Sequence, residues 1–173
     1  HGYGTKKIKQ LEFEQGPIGV QIFDNRPFAV SEAAKLAEDS GAFLIDINMG
    51  CPVKKISRKG GGSALINDRL LAVELVKRVS NAVKVPVTVK TRLGWDNKEE
   101  NIEEFLISLQ DAGAEMITLH GRTRKEGFSG KADWEMIGKI KELLEIPVIA
   151  NGDIKNPKDA LKCFKKTNAD GLM

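Results

Sequence analysis

Six short apolar runs, rich in β-branched residues, recur along the chain at 19–23 (GVQIF), 43–48 (FLIDIN), 87–91 (VTVKT), 116–120 (MITLH), 147–151 (PVIAN) and 170–173 (DGLM). They read as near-continuous hydrophobic segments more than as strict alternation, which predicts parallel strands covered on both faces. Helical periodicity fills the intervals. Between 98 and 112, Ile102, Phe105, Leu106 and Leu109 fall at i, i+3, i+4 and i+7 and form one apolar face, with Gly113 as the stop. Ser31 is the expected cap of a helix running to about Asp39 and ending near Gly41, and Asn67 or Asp68 that of a helix to about Ala82. A further helix covers 134–144. The last starts at Asn156, with Pro157 in its first turn.

Strand and helix alternate without a break, which predicts an α/β fold with a parallel sheet and right-handed crossovers. Two closures compete. A doubly wound open sheet usually carries a Gly-rich turn after its first strand, and the sequence has none. A TIM-type (β/α) barrel instead gathers polar chemistry at the C-terminal ends of many strands. Asn48, Lys90, His120 and Asn151 each end or adjoin a predicted strand, so the barrel is the expected architecture. A whole barrel takes about 200–250 residues or more. The 173 residues are therefore expected to form a single domain, 1–173, that is most of a barrel but not all of it. The chain starts at His1 and stops inside a nascent strand, so both ends read as cut.

Composition narrows this little. With 41% hydrophobic and 29% charged residues the chain is an ordinary globular protein, and its net charge of +3 permits an anionic partner without arguing for one. No apolar run is long enough to cross a bilayer and no signal peptide is visible, so no membrane partner is expected. Two cysteines in unlike contexts suit a reduced, cytoplasmic setting. No Cys/His spacing predicts a metal site.

Chemistry concentrates in a few stretches. In DINMGCPVKK (46–55) an aliphatic run ends at Asn48 and delivers Cys51 between Gly50 and Pro52, beyond the strand, where a core side chain is hard to place. A thiol there is either a nucleophile or, protonated at neutral pH with a pKa of about 8.5, a proton donor. Lys90 sits at the tip of a strand with no solvated side wall, so its amine is expected at the barrel mouth, where it can hold an anion. His120 is followed by GRTR, which groups cations at a strand end and suits a phosphate or an electron-rich ring. In ANGDI (150–154), Gly152 lets the backbone approach a ligand closely. The run KKISRKGGG (54–62) reads either as a solvated loop or as a basic rim that grips a polyanion.

Taken together, GVQIF, DINMGCPVKK, VPVTVKTRLGW, LHGRTR, GKADW and PVIANGDI, in that order, resemble the tRNA-dihydrouridine synthases, particularly their bacterial branch. The resemblance implies FMN across the mouth of a TIM barrel, reduced by NADPH or NADH, with hydride passing to C6 of a uracil in tRNA and a cysteine protonating C5. Cys51 matches the proton donor. Gln21, Lys90, His120, Asn151, Gly152 and Asp153 match cofactor contacts, and Asn48 and Arg92 match the surroundings of the uracil. The match runs from about the third barrel strand to the start of the eighth. The family's first flavin-binding strand, its Gly–Arg phosphate motif and its C-terminal helical RNA-binding domain are expected to be missing. Two other readings compete: an FMN-dependent dehydrogenase of a free pyrimidine, of dihydroorotate or dihydropyrimidine type, and a non-catalytic RNA-binding fragment.

Overall fold

A computed structural model of the chain describes residues 16–53, 57–96 and 101–173. Six parallel strands, β1 (Gly19–Ile22), β2 (Leu44–Asn48), β3 (Val87–Arg92), β4 (Met116–His120), β5 (Val148–Asn151) and β6 (Gly171–Leu172), pair in strict chain order. Between them run α1 (Pro27–Asp39), α2 (Arg69–Ser80), α3 (Ile102–Asp111), α4 (Trp134–Leu143) and α5 (Pro157–Thr167). Sequential order with right-handed crossovers puts every helix on the same side of the sheet. That is barrel winding. A doubly wound sheet reverses its order and covers both faces.

β3 and β4 are covered on both faces, as expected, but polar and apolar side chains alternate along the strands. The register brings Ile45, Val87, Ile47, Val89, Ile117, Leu119, Val148 and Ala150 onto the face that the helices cover, and each is at most 1% exposed. They form one cluster with Ala34, Leu75, Phe105, Leu106, Ile137 and Ile140 from the helices. The opposite face is polar: Gln21, Asp46, Asn48, Thr88, Lys90, Arg92, Thr118, His120 and Asn151 lie on it by the same register. The sheet thus has a dry wall against helices and a polar wall toward the barrel lumen. Lys90 belongs to that polar wall.

Helix ends follow local chemistry, with one correction. Asp68, Asp133 and Asn156 cap α2, α4 and α5 by accepting from Leu71, Met136 and Asp159 N–H. Gly113, at φ +107, ends the turn after α3 in the left-handed region. Ser31 does not cap α1. The helix starts a turn earlier because Pro27 supplies the fixed φ of a first position, and the Ser31 hydroxyl donates inside the helix to Phe28 O at 2.9 Å. A short 3-10 helix, Gly62–Ile66, follows the glycine run and was not legible in it. Of the basic run, Lys54, Lys55 and Ile56 lie outside the described residues, while Arg58 and Lys59 are exposed.

Candidate active site

The thiol is placed by an Asx turn. Asn48 ends β2, and its Oδ1 turns back to accept from the N–H groups of Gly50 (3.1 Å) and Cys51 (3.0 Å). Arg92, two residues past Lys90 on β3, donates Nε–H to Gly50 O at 2.8 Å, and Ser63 N–H donates to Cys51 O at 3.1 Å. The main chain is therefore tied on both sides of Cys51, whose residue stays partly exposed. Cys163 is different: it is fully buried in α5, and burial pushes its thiol pKa up, as for a small core side chain.

One strand further on, three polar side chains share one oxygen. Lys90 Nζ donates to Asn151 Oδ1 at 3.0 Å, and His120 Nδ1 lies 2.7 Å from the same atom. A carboxamide oxygen only accepts, so His120 carries its proton on Nδ1. Asn151 Nδ2 donates to Met173 O at 2.7 Å, which fixes the amide's orientation. Burial, with the charges of Arg92, Lys90 and Arg122, pushes the His120 pKa down to about 4 against the opposing Asn151 hydrogen bond. It is neutral at pH 7. Burial also lowers Lys90, helped by Arg92 and opposed by Asp46. For Arg92, burial and Arg122 act downward, while the nearby Cys51 and Glu126 act upward.

The loop after β4 closes the other side of the mouth. Arg122, 4% exposed, donates from Nη2 to both Asp153 oxygens at 2.7 and 2.8 Å and to Gly130 O at 2.8 Å, and from Nε to Ser129 O at 2.9 Å. Asp153 Oδ2 also accepts from Ala132 N–H at 2.6 Å. The Arg122 hydrogen bond, then the Ala132 one, hold the Asp153 pKa below the usual carboxylate value. Trp134 Nε1 donates to Gly152 O at 3.0 Å. Gly152, at φ +115, has no room for a side chain: a Cβ would lie 2.9 Å from that of Ala132. Phe128, 78% exposed, stands on this loop with the Arg92 guanidinium 5.6 Å from its ring centre and the His120 ring edge-on at 6.3 Å.

The structure brings the sequence-predicted residues to one end of the lumen and divides them by duty. Gln21 and Asn48 are joined by one side-chain hydrogen bond, and Lys90 and His120 are each bonded to Asn151, with Asn48 and Lys90 side by side in the β2–β3 register. Arg92 is 3% exposed and braces the backbone, donating also to Thr123 O (3.1 Å) and Gly127 O (2.9 Å). The Asp153 carboxylate is committed to Arg122 and Ala132. Sequence reasoning missed three residues. Asp46 is a lumen carboxylate that accepts from Gln21 Nε2 (2.6 Å) and Thr88 Oγ1 (2.7 Å). Burial raises its pKa against those hydrogen bonds and the Lys90 charge. Arg122 looked like one of several loop cations, and Phe128 carried no sequence signal beyond being an aromatic between glycines. The i, i+2 spacing of Asp46 and Asn48, repeated by Thr88, Lys90 and Arg92 and by Thr118 and His120, was the available clue to a polar lumen face.

Among the described residues no helix is long and apolar enough to cross a membrane, and no three His, Cys, Asp or Glu side chains gather as a metal site requires.

Comparison with known proteins gives a consistent picture. Residues 3–173 match the model of the dihydrouridine synthase (Dus) family. The "Probable tRNA-dihydrouridine synthase 1" of Synechocystis sp. is 54% identical over 167 residues, covering 96% of this chain and 47% of that protein. The tRNA-dihydrouridine synthase B of Vibrio parahaemolyticus is 43% identical over 172 residues, covering 98% of this chain and 53% of that one. The chain thus spans about half the length of the curated relatives it matches. A crystal structure from Burkholderia cenocepacia, carrying a lyase/mutase description, superposes with a TM-score of 0.67 at 19% identity, over 97% of this chain and 58% of that one. At that identity it speaks to the fold alone.

Proposed function

The chain belongs to the dihydrouridine synthase family, and from that premise we propose that it is the central part of a flavin-binding barrel that reduces the C5=C6 bond of a uridine in tRNA, with FMN as cofactor and NADPH or NADH as reductant. The observation that carries this reading is that the Cys51 turn, tied to β3 through Arg92, lies at the same end of the lumen as the Lys90–His120–Asn151 cluster. Two free cysteines fit a cytoplasmic protein.

The residues present fit FMN. An anionic, flat, polar-edged ring needs cations and mixed donors around a shallow mouth. Lys90 supplies the charge, the edges of Gln21, His120 and Asn151 line the same wall, and Arg92 braces the loops around them through three backbone carbonyls. Gly152 keeps the β5 turn free of a side chain. When bound, FMN supplies the hydride that reaches C6 of the uracil ring.

The chain's own residues do the rest. Hydride addition at C6 leaves enolate charge on the ring, and Cys51 hands its thiol proton to C5 as general acid, then recovers a proton from solvent. Lys90 stabilises negative charge at the mouth from a fixed position, since its amine is already held by Asn151. His120 is neutral and brings no charge to the mouth, and its Nε2 lone pair faces Arg122 Nη1 at 3.4 Å. Phe128 presents an aromatic face on which an unstacked base can lie, and Arg58 and Lys59 offer charge to the RNA backbone.

The test is dihydrouridine formation on an unmodified tRNA transcript with FMN and NADPH. The native protein forms product, and Cys51→Ala keeps FMN but forms none. Unchanged product with Cys51→Ala overturns the acid assignment. Turnover on free uracil but not on tRNA favours the free-pyrimidine dehydrogenase.

A further inference from the structure

A chain of side-chain hydrogen bonds runs from Asp46 to the backbone of Cys51, and it has only one possible polarity. At one end stand backbone donors. Gly50 N–H and Cys51 N–H both point at Asn48, so the atom facing them must be Oδ1. That leaves Asn48 Nδ2 to donate to Gln21 at 2.8 Å, so the Gln21 atom there must be Oε1. Gln21 Nε2 is then left for Asp46 Oδ2, at 2.6 Å. Asp46 closes the other end: an ionised carboxylate accepts only, and Thr88 Oγ1 holds its second oxygen at 2.7 Å. Both amides are therefore oriented from two ends by groups that cannot reverse.

We propose that Asp46 is a positioning residue for Cys51: its carboxylate fixes the Gln21 amide, Gln21 fixes the Asn48 amide, and Asn48 holds the turn that presents the thiol. The inference rests on the reading of Cys51 as the reacting thiol, and it assigns a duty to a lumen carboxylate that touches neither thiol nor substrate. The relay crosses from β2 to β1 and back to β2, so neighbouring strands must keep register for the turn to form. Without an acceptor at 46, Gln21 Nε2 loses its partner and the Gln21 side chain is free to swing away from Asn48. Asn48 then keeps the turn with only one side of its own amide anchored.

The experiment is hydrogen exchange at the Gly50 and Cys51 amides, read by NMR on the protein without cofactor. In Asp46→Leu, which leaves Gln21 Nε2 without an acceptor, both amides exchange faster by about fivefold or more, as loss of one net hydrogen bond implies, while Val89 and Leu119 keep their protection. Asp46→Asn, whose Oδ1 still accepts from Gln21 Nε2 while its Nδ2 turns to the Thr88 hydroxyl, keeps both amides protected. If Asp46→Leu does not fold, Gln21→Leu cuts the same relay and is expected to speed exchange in the same way. Native exchange at Gly50 and Cys51 in the folded Leu variant overturns the proposal. So does fast exchange in Asp46→Asn. The readout needs no flavin, so failure of the enzymatic reading shows separately, in the tRNA assay.

Discussion

Lys90 and His120, on neighbouring strands, donate to the same atom, Asn151 Oδ1, at 3.0 and 2.7 Å. One carboxamide oxygen thereby holds a lysine amine in place and fixes the tautomer of a histidine. The arrangement needs β3, β4 and β5 in register, because Asn151 pairs with His120 across β5 and β4 and His120 pairs with Arg92 across β4 and β3.

The buried His120 ring sets a pH dependence. Burial and three neighbouring cations, Arg92, Lys90 and Arg122, hold the His120 pKa at about 4. The unfolded chain binds that proton at about 6.5. Between those values the unfolded state holds the extra proton, so stability is full above the unfolded pKa and is lost as pH falls toward the folded one. The His120 ring resonance is expected to titrate near 4 in NMR. Denaturant midpoints are expected to fall less on acidification in His120→Gln than in the native protein. Asn151→Asp places a carboxylate against the ring, so the His120 pKa is expected to rise. A His120 titration at the ordinary value would show that the ring is not held as described.

Arg122 governs the loop over the mouth. It reaches Asp153, Gly130 and Ser129 from a buried position. Arg122→Ala strands those carbonyls and the partly exposed carboxylate, at a cost of about 1–3 kcal/mol. Trypsin is expected to cut sooner at Arg124, Lys125 and Lys131 on the same loop. Equal midpoints and equal cleavage in native and variant would show that the loop is held by other contacts.

Phe128 separates binding from stability. It is 78% exposed and meets the site through the Arg92 guanidinium over its ring and an edge-on contact with His120. Phe128→Ala is expected to leave the unfolding midpoint within about 0.5 kcal/mol of native. The affinity for unmodified tRNA is expected to fall about tenfold, the range of one base stacked on one aromatic. Unchanged affinity would remove Phe128 from the RNA path.

The elements were legible because their signals are local. Asp68 and Asn156 are caps, Gly113 is a stop, and Ile102, Phe105, Leu106 and Leu109 mark one helical face and are buried as such. Ser31 misled because a cap preference was weighed without Pro27, which fixes the start of the helix. The apolar runs misled in a subtler way: Thr88, Thr118 and Asp46 were absorbed into hydrophobic segments, although their spacing puts them on one polar face. Cys51, Lys90, His120 and Asn151 could be read as strand-end chemistry. Which of the remaining polar residues brace the backbone and which face the lumen depends on register and loop closure. Neither is written in any one segment, so the bracing roles of Arg92 and Asp153 and the relay from Asp46 exist only once the strands are paired and the loops closed.

The account stands on the Lys90–His120–Asn151 cluster being the place where an anionic ring is held. Titration of the protein with FMN, followed by flavin fluorescence, tests this directly. Saturable quenching is expected for the native protein, with affinity at least about tenfold weaker in Lys90→Met, the loss expected for one fixed charge–charge contact near a protein surface. No binding by the native protein, or the same curve for both, would contradict it.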